Sequence, residues 1–275
     1  MSVLVVTGTG TGVGKTVVTA ALAALARDRG ASVAVVKPAQ TGVIAGEPGD
    51  LAHVRRLAGV DELHEYARYP DPLAPATAAR RAHLPPVDLR EAAARVADLA
   101  ARRRLVLVEG AGGLLVRYDE DGATIADLAR RLAAPVLVVA RAGLGTLNEV
   151  ALTLEALAHR GLDVAGVVVG AWPATPGLAE RCNVRDLETL AARPLAGVLA
   201  EGIGGLHPPE FLRVVRSGLA PALGGAFDPA DFRRRVDAQG GTAGGDTSED
   251  ASRDTSEDVS EDLSEIRCEN RCENR

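Results

Sequence analysis

Cysteine is scarce in this sequence, and long apolar runs are missing from it. Of three cysteines in 275 residues, only Cys182 falls in the body of the chain, and an unpaired thiol suits a reducing compartment rather than a disulfide framework. The other two, Cys268 and Cys272, sit in the repeat "RCENRCEN" with no histidine or further cysteine beside them. That pattern argues for a solvated tail over a metal site. The apolar runs "SVLVV", "VAVV", "LVLV" and "PVLVVA" are broken by Gly, Lys or Glu after a few residues, far short of the about 20 residues of a bilayer span. A secretory leader needs a basic start and a longer apolar stretch, whereas "MSVLVVTGTG" runs straight into glycines. The expectation is a cytoplasmic protein without a membrane partner.

A basic footprint is also lacking. The formal net charge is −6, but residues 237–275 alone hold 12 Asp and Glu against 4 Arg, which leaves +2 on the remainder. A surplus that small gives no nucleic-acid surface. From Gly240 the chain reads "GGTAGGDTSEDASRDTSEDVSEDLSE", a Gly-rich hinge and near-repeats of T-S-E-D with almost nothing apolar to offset the entropy of ordering. The expected organisation is one folded domain over residues 1–236 and a disordered acidic tail over 237–275, whether solubilising, interacting or accidental.

What is present is an alternation of short β-branched runs with longer Ala/Leu/Arg segments at helical spacing. Strands are predicted at Val3–Thr7, Val33–Lys37, Leu105–Val108, Val136–Ala140, Val164–Gly170 and Leu195–Leu199, and helices at Lys15–Arg29, Leu89–Arg102, Thr124–Leu132 and Thr146–His159. Strands apolar throughout, with helices between them, imply an α/β doubly wound, mostly parallel sheet covered by helices on both faces. Ligands of such sheets gather at the carboxyl ends of the strands.

The first strand end carries "GTGTGVGKT", Gly8 to Thr16. The strict phosphate-loop pattern G-x-x-x-x-G-K-[ST] asks for its first glycine at position 9, where Thr9 stands, so the match is good at one end and loose at the other. The residue types still suit a phosphate cradle: glycines that turn backbone N–H groups inward, a helix N-terminus, a lysine for the outer phosphates and the Thr16 hydroxyl for magnesium. In "VAVVKPAQTG", Lys37 at the strand end either neutralises a transferring phosphoryl group or reaches solvent. Thr41, in the turn beyond it, bonds a polar substrate or its own backbone. "RLVLVEGAGG" ends on Glu109, which resembles the acidic strand end that holds magnesium in P-loop enzymes, or is an ordinary loop acid. Asp50 in "GEPGDLAHV" is either a helix-start acid or a second carboxylate for magnesium. In "PVLVVARAGLGTLNEV", the N–H groups of Gly145, Thr146 and Leu147 with the Asn148 amide form a carboxylate site or simply a helix start.

Together "GTGTGVGKT", "KPAQTG", "VEGAGGLLV", "ADLARRLAAPVLVVARAGLGTLN" and "YPDPLAPATAAR" resemble the dethiobiotin synthetase family, in unbroken order from about Val3 to Leu206. Members of that family carry G-T-x-T-x-V-G-K-[ST], which accounts for the loose first glycine. The resemblance implies a P-loop NTPase fold and ATP- and magnesium-dependent ring closure of 7,8-diaminononanoate with carbon dioxide, by way of a phosphorylated carbamate. By carry-over, Lys15 and Lys37 are catalytic, Thr16, Asp50 and Glu109 hold magnesium, and Thr11 and Thr41 position the γ-phosphate and the carbamate. The nucleotide site takes in Thr11, Gly12, Val13, Gly14, Lys15, Thr16, Val17, Asp50, Glu109, Gly110, Ala111 and Gly112, with Gly170, Ala171, Leu199, Ala200 and Glu201 around the base. The resemblance further implies a homodimer in which Gly145, Thr146, Leu147 and Asn148 of one subunit receive the substrate carboxylate of the other.

Two departures stand out. "VVVGAWP" puts Gly170 and Ala171 where some relatives have an Asn-Asp pair for the adenine base, and the long acidic tail is foreign to the family. The alternative from another class is a nucleotide-dependent switch or partition ATPase of the same P-loop branch. Those proteins commonly carry an extra lysine early in the loop, where this chain has Gly10 and Thr11.

Overall fold

The computed structural model describes residues 3–240. Seven strands lie in one sheet: β1 (Val3–Gly8), β2 (Val33–Thr41), β3 (Leu63–Tyr69), β4 (Leu105–Gly113), β5 (Val136–Ala140), β6 (Val164–Trp172) and β7 (Gly197–Ala200). Their spatial order is β3-β2-β4-β1-β5-β6-β7, and every pairing is parallel. Nine α-helices are described: α1 (Lys15–Asp28), α2 (Asp50–Ala58), α3 (Pro75–Ala82), α4 (Leu89–Arg102), α5 (Ile125–Arg131), α6 (Thr146–His159), α7 (Leu178–Ala191), α8 (Pro208–Gly218) and α9 (Pro229–Gly240).

Parallel strands need covering on both faces, and β1 shows how the sequence meets that need. Val3 and Val5 point into a core shared with α3 to α7 and α9, while Leu4 and Val6 point into a second core shared with α1, α2 and α8. Both alternating sets are apolar, so the strand reads as a continuous run. This is the doubly wound α/β architecture of the P-loop NTPases. The chain leaves β1 toward β2 on one side and continues from β5 to β6 on the other, so the carboxyl end of β1 is the switch point where such sheets open a crevice.

Two differences from the sequence reading have physical causes. Strand β3, "LHEYARY", was not expected; it is the sheet edge, and every residue but Tyr69 is only half-buried, so it lacks the apolar run of its neighbours. Strand β2 continues past Lys37 through Pro38 to Thr41, which makes Thr41 a strand residue rather than a turn residue. Its pairing with β4 ends at Val36, and beyond that point it pairs with β3 alone. A proline without an N–H is tolerated there because the β4-facing side has no ladder to join. Helices α3, α7, α8 and α9 were not expected either, whereas α2 begins at Asp50, as the helix-start reading had it, and α9 runs to Gly240, four residues into the segment read as tail. The rest of the expected acidic tail, residues 241–275 with Cys268 and Cys272, lies outside the described residues.

Candidate active site

The separation of β2 from β4 opens a cleft of about 700 Å³ at the carboxyl end of the sheet. Its walls are the phosphate loop, the end of β2, the segment Pro72–Pro75 and the end of β4. Thr11, Gly12, Gly14, Lys15, Thr16 and Val17 line one side, and Lys37, Thr41, Asp50, Glu109, Ala111 and Gly112 line the others.

The loop owes its shape to glycine at two points. Gly14 has φ 96°, in the left-handed region, and a Cβ there would stand 2.7 Å from the carbonyl oxygen of Gly170. Gly170 returns the contact, since a Cβ on it would lie 2.1 Å from Val13 O. Gly170 thus underlies the loop at the distance of bare backbone. Val13 turns its side chain into the core at 1% exposure, which anchors the loop from below. Helix α1 starts at once, with no side chain capping its first N–H groups, so they remain for an anion.

Two elements, α2 and β4, converge on Lys37. Its Nζ lies 2.6 Å from Asp50 Oδ2 and donates to Glu109 Oε1 at 2.8 Å and Gly110 O at 3.2 Å. The Thr16 hydroxyl donates to the same Glu109 Oε1 at 2.9 Å. Burial alone would depress the Lys37 pKa, but the charges of Glu109 and Asp50 outweigh it and hold the ammonium well above its usual range. Burial would likewise raise the Asp50 carboxyl, yet Lys37 prevails and keeps it below the usual carboxylate range. Lys15 is the opposite case: desolvation, and then the charge of Lys37, lower it to about 8. Its Nζ donates to Gly10 O at 2.7 Å.

Glu109 Oε2 is buried with no hydrogen-bond partner. Unpaired buried oxygens are costly and are a mark of a ligand position. The donor set around it is a hydroxyl and two carboxylates, all hard oxygens. Among the described residues no group of three or more His, Cys, Asp or Glu could hold a metal. A cation here would therefore keep waters or phosphate oxygens in its shell, which is how magnesium is commonly held.

Other sequence-predicted residues fall elsewhere. Gly145, Thr146, Leu147 and Asn148 begin α6 and line no part of the cleft. Thr146 is fully buried, its hydroxyl donating to Arg141 O at 2.8 Å, while Gly145 and Asn148 are exposed. Ala171 is half-buried, Leu199 is in the core, and Ala200 and Glu201 are exposed at the end of β7.

Two arrangements had no signal in the sequence. Gln40 is buried and its Oε1 accepts the backbone N–H of Asp50 at 2.9 Å, so a strand residue caps α2 in place of Gly49. Thr9 Oγ1 donates to Glu149 Oε2 at 3.0 Å, and Arg141 Nε lies 3.4 Å from the same oxygen, tying the loop to the first turn of α6.

Comparison with known proteins agrees with this geometry. The AAA domain family matches residues 2–202. The ATP-dependent dethiobiotin synthetase BioD of Frankia casuarinae is 70% identical over 86% of this chain and 100% of its own length. BioD of Parafrankia sp. is 69% identical over 86% and 99%, and BioD of Saccharopolyspora erythraea 63% over 82% and 98%. Among solved structures, the septum site-determining protein MinD of Pyrococcus horikoshii, complexed with Mg-ADP, superposes with a TM-score of 0.47 at 17% identity, covering 88% of this chain and 97% of that one. With relatives this similar along nearly their whole length, the chain is an ATP-dependent ligase-type enzyme and belongs to the ATP-dependent dethiobiotin synthetase family.

Proposed function

We propose that this chain closes the ureido ring of dethiobiotin from 7,8-diaminononanoate, carbon dioxide and ATP, with magnesium, releasing ADP and phosphate. The observation that carries the reading is Lys37, an ammonium held charged between Asp50 and Glu109 at the mouth of a phosphate loop.

One amine of the substrate adds to carbon dioxide to give a carbamate, a poor electrophile that reverts easily. A carbamate oxygen then attacks the γ-phosphorus of ATP and ADP leaves. The second amine attacks the carbonyl carbon of the resulting carbamic-phosphoric anhydride, the new C–N bond forms, and phosphate departs with the activated oxygen. Lys37 and Lys15 screen the oxygens that gather charge in these steps, and the loop N–H groups fix the phosphates in line. Thr11 and Thr41, both lining the cleft, hold the γ-phosphate and the carbamate. Thr16, Asp50 and Glu109 are the residues that would hold magnesium, which would supply Lewis-acid neutralisation of phosphate charge.

In this reading Gly145–Asn148, which lie outside this chain's own cleft, receive the substrate carboxylate of the partner in a homodimer. Leu144, Leu152 and Leu178, on and beside α6 and α7, are 89%, 58% and 71% exposed, which suits a face that a second subunit covers. The reading places the enzyme in the cytoplasm.

The test is mass spectrometry of reactions containing 7,8-diaminononanoate, bicarbonate, ATP and magnesium. Dethiobiotin that requires all four, and that disappears with Lys37→Ala, is the expected result. ATP hydrolysis indifferent to the diamine would overturn the reading in favour of a nucleotide switch. Mixing Lys37→Ala with Asn148→Ala protein should restore part of the activity, because a mixed dimer contains one intact composite site.

A further inference from the structure

The end of β4 does not follow β1 residue for residue. Val6 faces Glu109 and Gly8 faces Gly113, so Gly110, Ala111 and Gly112 stand opposite Thr7 alone. This is a bulge, and bulges re-aim the residues beside them. Here it begins directly after Glu109, so the two β4 groups that hold Lys37 are the Glu109 carboxylate at its edge and the Gly110 carbonyl within it.

Bulged backbone leaves ladder groups in need of partners. The Ala111 N–H finds one in the hydroxyl of Tyr118, 2.7 Å away, on a side chain with 0% exposure. Tyr118 is itself fixed: its N–H donates to Ala123 O at 2.8 Å, Arg117 bridges Thr124, and Ala76 N–H donates to Arg117 O at 3.1 Å. Burial raises the phenol, with the Ala111 hydrogen bond and the Lys37 charge opposing, so it stays a neutral hydroxyl. Gly110 is closed in from the same side, where a Cβ would meet Ile125 Cγ1 at 3.3 Å. The bulge is thus held by Lys37 in front and by a buried phenol behind.

We propose that Tyr118 is a positioning residue for the reaction: its hydroxyl sets the Gly110–Gly112 bulge that follows Glu109, and so the placement of Lys37. Its effect on turnover rests on the proposed function; its grip on the bulge does not.

Tyr118→Phe keeps the ring and removes the one hydroxyl. Two readouts separate the layers. Hydrogen–deuterium exchange of residues 109–113 in the free protein should quicken at least about tenfold, since the amide loses its acceptor. In dethiobiotin formation kcat should fall about tenfold with KM for ATP within about twofold, the pattern of an interaction needed in the transition state rather than in nucleotide binding. Val96→Ala, a cavity in the core that Tyr118 shares, controls for destabilisation; its kcat should match wild type at a temperature well below its midpoint. Unchanged exchange overturns the clamp. Quickened exchange with unchanged kcat, or an equal kcat loss in Val96→Ala, overturns the positioning role. Wild-type protein that forms no dethiobiotin would refute the proposed function instead, and the exchange result would still decide the clamp.

Discussion

Lys37 donates to Glu109 at 2.8 Å in a setting where neither side chain is more than 4% exposed. A buried pair of this kind is expensive to break from one side, because the survivor is left charged and unsatisfied, whereas removing both charges costs less. Lys37→Met should lower the unfolding free energy by about 3 to 5 kcal/mol, while Lys37→Met with Glu109→Gln should lose clearly less than the sum of the single changes. Urea denaturation of the four proteins checks this, and additive losses would contradict it. Asp50 gives the pH sign. Its carboxyl is depressed in the fold, so its contribution is present above the usual carboxylate range and drains away as the pH falls through the lowered value. Lys37→Met should blunt that acid branch.

The convergence of Lys15, Thr16, Lys37, Asp50 and Glu109 was legible in the sequence because Lys37 and Glu109 each close an apolar run and the other three begin helices, and a parallel sheet gathers such positions toward one edge, although both strands run on past those two residues. What could not be read depends on backbone offsets that composition does not record. Gln40 reaches Asp50 only because β2 leaves β4 after Val36, and Tyr118 reaches Ala111 only because β4 bulges. Strand β3 was invisible because a half-buried edge has no apolar signature. Gly170, singled out for its place in a base-reading motif, has its contacts with the loop itself.

Lys15 predicts a pH dependence of nucleotide binding. Its pKa of about 8 in the free protein arises from desolvation and from Lys37, and the phosphates of a bound nucleotide raise it again. The free protein is therefore increasingly neutral at Lys15 above about pH 8, and binding must then take up a proton. The Kd for ADP should be flat below that value and weaken about tenfold per unit well above it. Calorimetry at pH 9 in buffers of different ionisation enthalpy should register uptake approaching one proton. A Kd indifferent to pH from 7 to 10 would show that Lys15 stays charged throughout.

Gln40 predicts a change in cation dependence without loss of fold. Gln40→Leu preserves volume but strips the acceptor from the Asp50 N–H, freeing the first turn of α2 and with it the carboxylate beside Lys37. Groups that orient metal-binding residues commonly govern affinity by 10-fold or more, so the magnesium concentration for half-maximal rate should rise about 10-fold. The thermal midpoint should move by only several degrees, in keeping with a loss of about 1 to 3 kcal/mol for the two hydrogen bonds of the Gln40 amide, from Asp50 N–H and to Thr41 O. An unchanged magnesium titration would mean that Lys37 alone holds Asp50 in place.

Gly170 predicts that the smallest possible substitution is severe. In Gly170→Ala the new methyl would lie 2.1 Å from Val13 O and 2.7 Å from Val139 Cγ1, and the first of these is backbone that no rotamer change can move aside. Either the phosphate loop rises from the sheet or β6 withdraws from β5, and both disturb Gly14 at the start of α1. The expected cost is about 1 to 3 kcal/mol of stability, typical of overpacking, together with at least about tenfold weaker ADP binding because the loop N–H groups no longer converge. Fluorescent-nucleotide titration beside urea denaturation distinguishes the two responses: a loop that rises loses affinity more than stability, whereas a retreating strand loses stability first. Wild-type values for both would mean that the loop is not seated on Gly170.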